Sequence, residues 1–261
     1  MGIDFSKINK RYIGSLIIIP IIISLILGGM FLKIVMFTIT ILSLIEFSNV
    51  FMKKNLKINI CLLIFFAIIY YILGIEYINI LVLLFLLVLL CFLLDYKNHI
   101  IDISLSFIAV FYIVIPFSFI FILSEINNYL PWIVFLCAWT TDTMAYVIGK
   151  NFGRHKLIER ISPNKTIEGF AGGVISCIIV IVLYGTIFMD KLDIPIINLI
   201  LLSFIIGVIG QIGDLIASSI KRFVDIKNFS NLIPGHGGIL DRFDSILLIS
   251  IVVFIYSQIF I

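Results

Sequence analysis

Unbroken stretches of aliphatic and aromatic residues, each close to twenty residues long, constrain this chain more than any other feature. The hydrocarbon core of a bilayer takes about 20 apolar residues to cross as a helix. No backbone polar group inside it can turn to water, so helix is the form such runs adopt. Nine runs come near that length, at about 12–32, 34–51, 58–75, 77–94, 103–124, 129–149, 169–189, 196–217 and 244–261. Composition agrees: 62% of the residues are hydrophobic and 13% charged, where a soluble domain is about a quarter charged. The expected fold is an all-α polytopic membrane protein of about nine transmembrane helices. The second, third and fourth runs are barely long enough. Tight connections around Lys33 and Glu76 leave eight or ten spans open.

Lys7, Lys10 and Arg11 precede the first run, as in a signal peptide. That run is too long for one and no small-x-small cleavage site follows, so it reads as a first span. Cys61, Cys91, Cys137 and Cys177 sit inside apolar runs without regular spacing and read as small hydrophobes. With nine spans and the N-terminus in the cytoplasm, sixteen of the eighteen cations fall on the inner side, leaving Lys33 and Lys191 outside. The positive-inside rule therefore predicts a cytoplasmic N-terminus and an outside C-terminus; the inner cell membrane is the expected location. A net charge of +3 gives no case for a nucleic-acid partner.

The chain changes character near residue 138. Residues 1–137 keep polar groups to short connections and read as a transmembrane scaffold of about five helices. Residues 138–261 carry two long cytoplasmic loops and polar residues within spans, and read as the catalytic region. Asp142 lies inside the sixth run, about two helical turns from its cytoplasmic end. Hydrogen bonding to neighbouring threonines would explain it, but an intramembrane carboxylate costs several kcal/mol and usually faces a cavity or an ion. Asp214, Ser218 and Lys221 or Arg222 follow helical spacing and share a face. The Gly207, Gly210 and Gly213 stripe above them reads as close helix packing. Asp241 and Asp244, three apart, share a face if helical, and repel unless protonated or bridged by a cation. Arg242 can pair with one of them. Hard oxygen donors without histidine spacing favour Mg²⁺, with more than one ion in view.

Gly235, Gly237 and Gly238 around His236 form a loop whose amides can turn toward an anion, although a simple turn is the commoner reading. Much of the basic charge in Lys150, Arg154, Lys156 and Arg160 follows from topology and suits anionic membrane lipid. Lys165 and Glu168 abut the seventh run, and an acid there has no such explanation. Glu46 is buried in the second run, facing either the same cavity or a polar partner on another helix. The candidates chosen for chemistry all fall at the cytoplasmic ends of spans six to nine, which describes a metal–polyphosphate site open to nucleotide on one side and lipid on the other.

These residues resemble the phosphatidate cytidylyltransferases. The similarity is carried by Ser218-Ser219-Ile220-Lys221-Arg222, Lys227-Asn228, Pro234-Gly235-His236-Gly237-Gly238 and Asp241-Arg242-Phe243-Asp244. A second block, Asp142-Thr143-Met144-Ala145-Tyr146, Gly149, Phe152-Gly153 and Ser162 to Gly169, is similar as well. The match is close in the second half and general in the first. Asn228 stands where the family pattern has Asp, keeping an oxygen donor and removing a charge.

The resemblance implies that CTP and phosphatidate give CDP-diacylglycerol and pyrophosphate. It implies divalent metal, Mg²⁺, on Asp214, Asp241 and Asp244 with Asp142 as a further ligand, and phosphate neutralisation by Lys221, Arg222 and Lys165. Ser162, Glu168, Ser218, Arg242 and the His236, Gly237, Gly238 loop are implied substrate contacts. Oligomeric state stays open, a homodimer included. Two rival readings remain: a membrane cytidylyltransferase or kinase for another lipid such as an isoprenoid, and an ion-coupled transporter. A transporter calls for acids midway through helices in both halves.

Overall fold

The computed structural model describes residues 18–74, 82, 85–86, 100–233, 235 and 237–260. The run expected at 77–94 lies outside them but for three residues, as do Lys7, Lys10, Arg11, Lys97, Pro234 and His236. Among the described residues the helices are α1 (Ile18–Leu27), α2 (Gly29–Met52), α3 (Ile60–Leu73), α4 (Ile100–Ile126), α5 (Leu130–Phe152), α6 (Ile167–Ile187), α7 (Ile196–Phe223) and α8 (Leu240–Phe260). A single turn, Met189–Leu192, joins α6 to α7. Six of them, α2 and α4 to α8, are long and apolar enough to cross a membrane. Their outward faces carry exposed large apolar side chains such as Phe111, Ile179, Leu183, Phe204 and Ile255, as a lipid-facing surface requires. The protein is an all-α membrane protein.

Two details depart from the expected boundaries. The first two runs divide at Gly28, not near Lys33. Gly28 has φ 62° and ψ −160°, a conformation that side chains avoid, and a Cβ there would lie 2.9 Å from Asn128 Oδ1. Lys33 instead sits within α2, its ammonium 4.8 Å from the centre of the Phe121 ring. The connection between α5 and α6 is also structured: β1 (Lys156–Ile158) and β2 (Ser162–Thr166) pair antiparallel. Thr166 then caps α6, accepting from Gly169 N at 3.1 Å.

The last four helices form the heart of the bundle: α5 packs along α6, α6 on α7, α7 on α8, and α8 returns against α5 and α4. Their small residues allow it. A Cβ on Gly207 would meet Cys177 at 3.3 Å, and one on Gly213 would fall 2.7 Å from the Asp244 carbonyl oxygen. Cys137 and Cys177 meet across α5 and α6 with sulfurs 3.1 Å apart, as buried free thiols. In α4, Val110–Val114 is a π-helical turn. Pro116 follows and has no N–H to return to the preceding turn, a recognised cause of such a bulge. The alternation of helix direction brings the ends of α2, α5 and α7 and the starts of α6 and α8 to one side. Lys33 and the Asn127–Lys191 contact, where Asn127 Nδ2 donates to Lys191 O at 2.7 Å, lie at the opposite end.

Candidate active site

Each site acid picked out from the sequence is carried by one of the last four helices. Asp142 lies midway along α5, Asp214 in the later part of α7, and Asp241 in the first turn of α8 with Asp244 three residues on, while Lys165 comes from β2. A cavity of about 540 Å³ opens between α5, α6, α7 and the hairpin, lined by Asp142, Tyr146, Lys150, Lys165, Gln211 and Asp214 among others. Lys165 Nζ lies 2.6 Å from Asp214 Oδ2 and donates to the Gln211 carbonyl at 3.3 Å. Ser218 Oγ donates to Asp214 Oδ1 at 3.4 Å, as the i, i+4 spacing requires.

Asp142, Asp214 and Asp244 stand close enough for their charges to repel one another. Lys165 and Arg242 act on Asp142 with the opposite sign, and Lys221 on Asp244. Asp244 is buried, with Oδ1 accepting from Ser245 N at 2.9 Å, and Ser245 Oγ donates to Asp142 Oδ2 at 3.5 Å. Asp241 is the centre of a second knot. Its Oδ1 is 2.7 Å from Lys221 Nζ, and its Oδ2 accepts from Phe229 N at 2.8 Å and Gly238 N at 3.0 Å. Gly237 has φ 87°, and a Cβ there would lie 2.9 Å from Asp241 Oδ2.

The other candidates divide by what they touch. Glu168 accepts from Arg154 N at 3.0 Å and contacts His155 Nδ1 at 2.7 Å, so it fastens the base of the hairpin. Arg222 donates to the carbonyls of Ile161 and Ile226 at 3.3 and 3.4 Å, tying the hairpin to the end of α7. Ser162 opens β2 beside that contact. His236 lies outside the described residues.

Two residues join the site that sequence reasoning did not place there, and a third, Glu46, resolves to a partner outside the cavity. Gln211 lines the cavity, with Nε2 donating to the Phe170 carbonyl at 3.0 Å; a lone amide in an apolar run was the available signal. Tyr112, on the π-helical turn, lies within electrostatic reach of Asp244 and Asp214. Glu46 binds the loop before α8, with Ser230 Oγ at 2.6 Å, Ile239 N at 2.9 Å and Leu240 N at 3.0 Å. That contact answers which partner its carboxylate faces.

Among the described residues, no three Asp, Glu, His or Cys side chains are arranged to enclose a metal ion by themselves. The donor chemistry is nevertheless that of a hard cation. Asp214 and Asp241 each hold a lysine ammonium, and Asp142 and Asp244 add two more carboxylates beside them. Mg²⁺ commonly takes one or two carboxylates and completes its shell with substrate phosphate and water. The acids fit an ion bound in that way.

A profile of the cytidylyltransferase family matches residues 9–260. The chain belongs to that family. Similar relatives are called phosphatidate cytidylyltransferase. The Staphylococcus epidermidis RP62A protein is 36% identical over 247 residues, 91% of this chain and 92% of its own length. The Bacillus subtilis protein is 42% identical over 145 residues, 54% of this chain and 53% of its own. The Staphylococcus aureus COL protein is 42% identical over 149 residues, 57% of this chain and 56% of its own. The aligned part of the chain thus spans about half the length of several of the relatives it matches.

Proposed function

We propose that this protein is a CTP:phosphatidate cytidylyltransferase, making CDP-diacylglycerol and pyrophosphate. The observation that carries the reading is the gathering of four carboxylates and two lysines at one end of a membrane bundle, beside a cavity of about 540 Å³. That volume lies within the range of about 300–1,000 Å³ usual for small-molecule sites. The names of the relatives in the same family support the choice of substrates.

In this reading an oxygen of the phosphatidate phosphate attacks the α-phosphorus of CTP in line. The new P–O bond forms as the bond to pyrophosphate breaks. The nucleophile is already anionic, so no strong general base is called for. The work of the site is to hold two anions together and to offset charge on the leaving group. Lys165 and Lys221 are suited to it, since each is held on a carboxylate from which a phosphate can draw it. Mg²⁺ held by one or two of Asp142, Asp214, Asp241 and Asp244, and completed by phosphate and water, would supply additional positive charge at the phosphates. The region after residue 138 carries most of this machinery, and the basic hairpin and loop face the cytoplasm under the positive-inside rule. Purified protein given CTP and phosphatidate should release pyrophosphate and form CDP-diacylglycerol only when both are present. Product from another lipid and none from phosphatidate would refute the assignment.

A further inference from the structure

Glu46 is 5% exposed, sits on α2 in the amino-terminal half, and is not among the residues lining the cavity. Its carboxylate is nonetheless fully engaged by the loop between α7 and α8. Oε1 accepts from Ser230 Oγ and Ile239 N, and Oε2 from Leu240 N. A Cβ on Gly238 would fall 2.6 Å from Oε2, so the loop backbone is pressed against the carboxylate itself. Leu240 opens α8, and a negative charge is favourable beside the unpaired amides of a helix start. The same segment is gripped from its other side, because Gly238 N and Phe229 N both donate to Asp241. A second link, Lys54 to Asp225 at 2.8 Å, holds the beginning of the loop to the end of α2.

We propose that Glu46 is a positioning residue for the reaction, a strut from α2 that fixes Ser230 and the Gly238–Leu240 segment and thereby sets Asp241 and Lys221. It touches no substrate and acts through the loop. This inference rests on the function proposed above, since Asp241 and Lys221 are its catalytic targets. In Glu46→Gln one oxygen is replaced by an amide NH₂ that faces an N–H donor, so the remaining oxygen keeps only part of the grip, with little change of volume.

The test compares wild type, Glu46→Gln, Glu46→Asp and Ser230→Ala as monodisperse protein in mild detergent, with kcat and both KM values taken per folded enzyme. Glu46→Gln should lower kcat by about tenfold or more and leave both KM values within about threefold, the pattern of a group mis-set in the transition state. Glu46→Asp should recover part of the rate, and Ser230→Ala, which removes one donor, should lose less. Trypsin should cut after exposed Lys227 faster in Glu46→Gln, because the loop opens more often. If Glu46→Gln does not yield folded protein, Ser230→Ala carries the same measurements with a smaller loss. A kcat within about twofold of wild type, or unchanged cleavage at Lys227, overturns the proposal. If wild type makes no product from CTP and phosphatidate, the function reading fails. Cleavage at Lys227 then decides the strut alone: faster supports it and unchanged refutes it.

Discussion

Two ion pairs of nearly equal length offer a controlled comparison. Lys221–Asp241 measures 2.7 Å with side chains 12% and 6% exposed, whereas Lys54–Asp225 measures 2.8 Å with side chains 40% and 80% exposed. Asp241→Asn leaves a buried ammonium without its counter-charge, and the single remaining oxygen cannot serve Lys221 and both backbone amides. Removing one partner of a buried pair costs about 3–5 kcal/mol. Asp225→Asn removes a solvated, screened pair and should cost no more than about 1 kcal/mol. The double variant Lys221→Met with Asp241→Asn removes the unpaired charge, while the Asn oxygen can still accept from Phe229 and Gly238. It should regain at least half of the stability lost in Asp241→Asn and remain inactive. Unfolding midpoints in mixed denaturing and mild detergent, followed by helical circular dichroism, measure all three. Equal losses in Asp241→Asn and Asp225→Asn, or no recovery in the double variant, would refute the reasoning.

Lys165→Met should lower turnover by about 10²-fold or more, as loss of a pre-set group opposite developing charge does; steady-state pyrophosphate release reads it. Chelation with EDTA should abolish turnover and Mg²⁺ restore it, and Asp214→Ala should remain inactive at any Mg²⁺ concentration, both followed by the same assay. In a cysteine-free background, Glu159→Cys on the hairpin connection should react with a membrane-impermeant maleimide in inside-out vesicles and not in right-side-out ones. The reverse labelling pattern would overturn the cytoplasmic placement.

The later spans were legible because charges bound their apolar runs. Lys165 and Glu168 abut α6, and Asp241 and Asp244 fall three apart at the start of α8, as read from their spacing. Between Tyr12 and Met52 the sequence is nearly continuous in hydrophobicity, so Lys33 drew the boundary. The true break needed a backbone argument from the Gly28-Gly29 pair. The hairpin was hidden because Ser162-Pro163-Asn164-Lys165-Thr166 has no strand alternation, and its pairing with Lys156–Ile158 is too short to leave a pattern. The Glu46 contact spans more than 190 residues of chain, beyond any local periodicity. An acid in an apolar run could be flagged, but only packing could name its partner.

The near-contact of backbones at Gly213 and Asp244 has a mechanical meaning. Helices interlocked at that distance cannot slide past each other by even one residue's rise, about 1.5 Å, without collision. The acids on α7 and α8 therefore behave as fittings on a single girder, their spacing settled when the bundle assembles. An enlarged side chain at position 213 would thus part Asp214 from Asp244 by prising α7 off α8, although position 213 does not itself line the cavity.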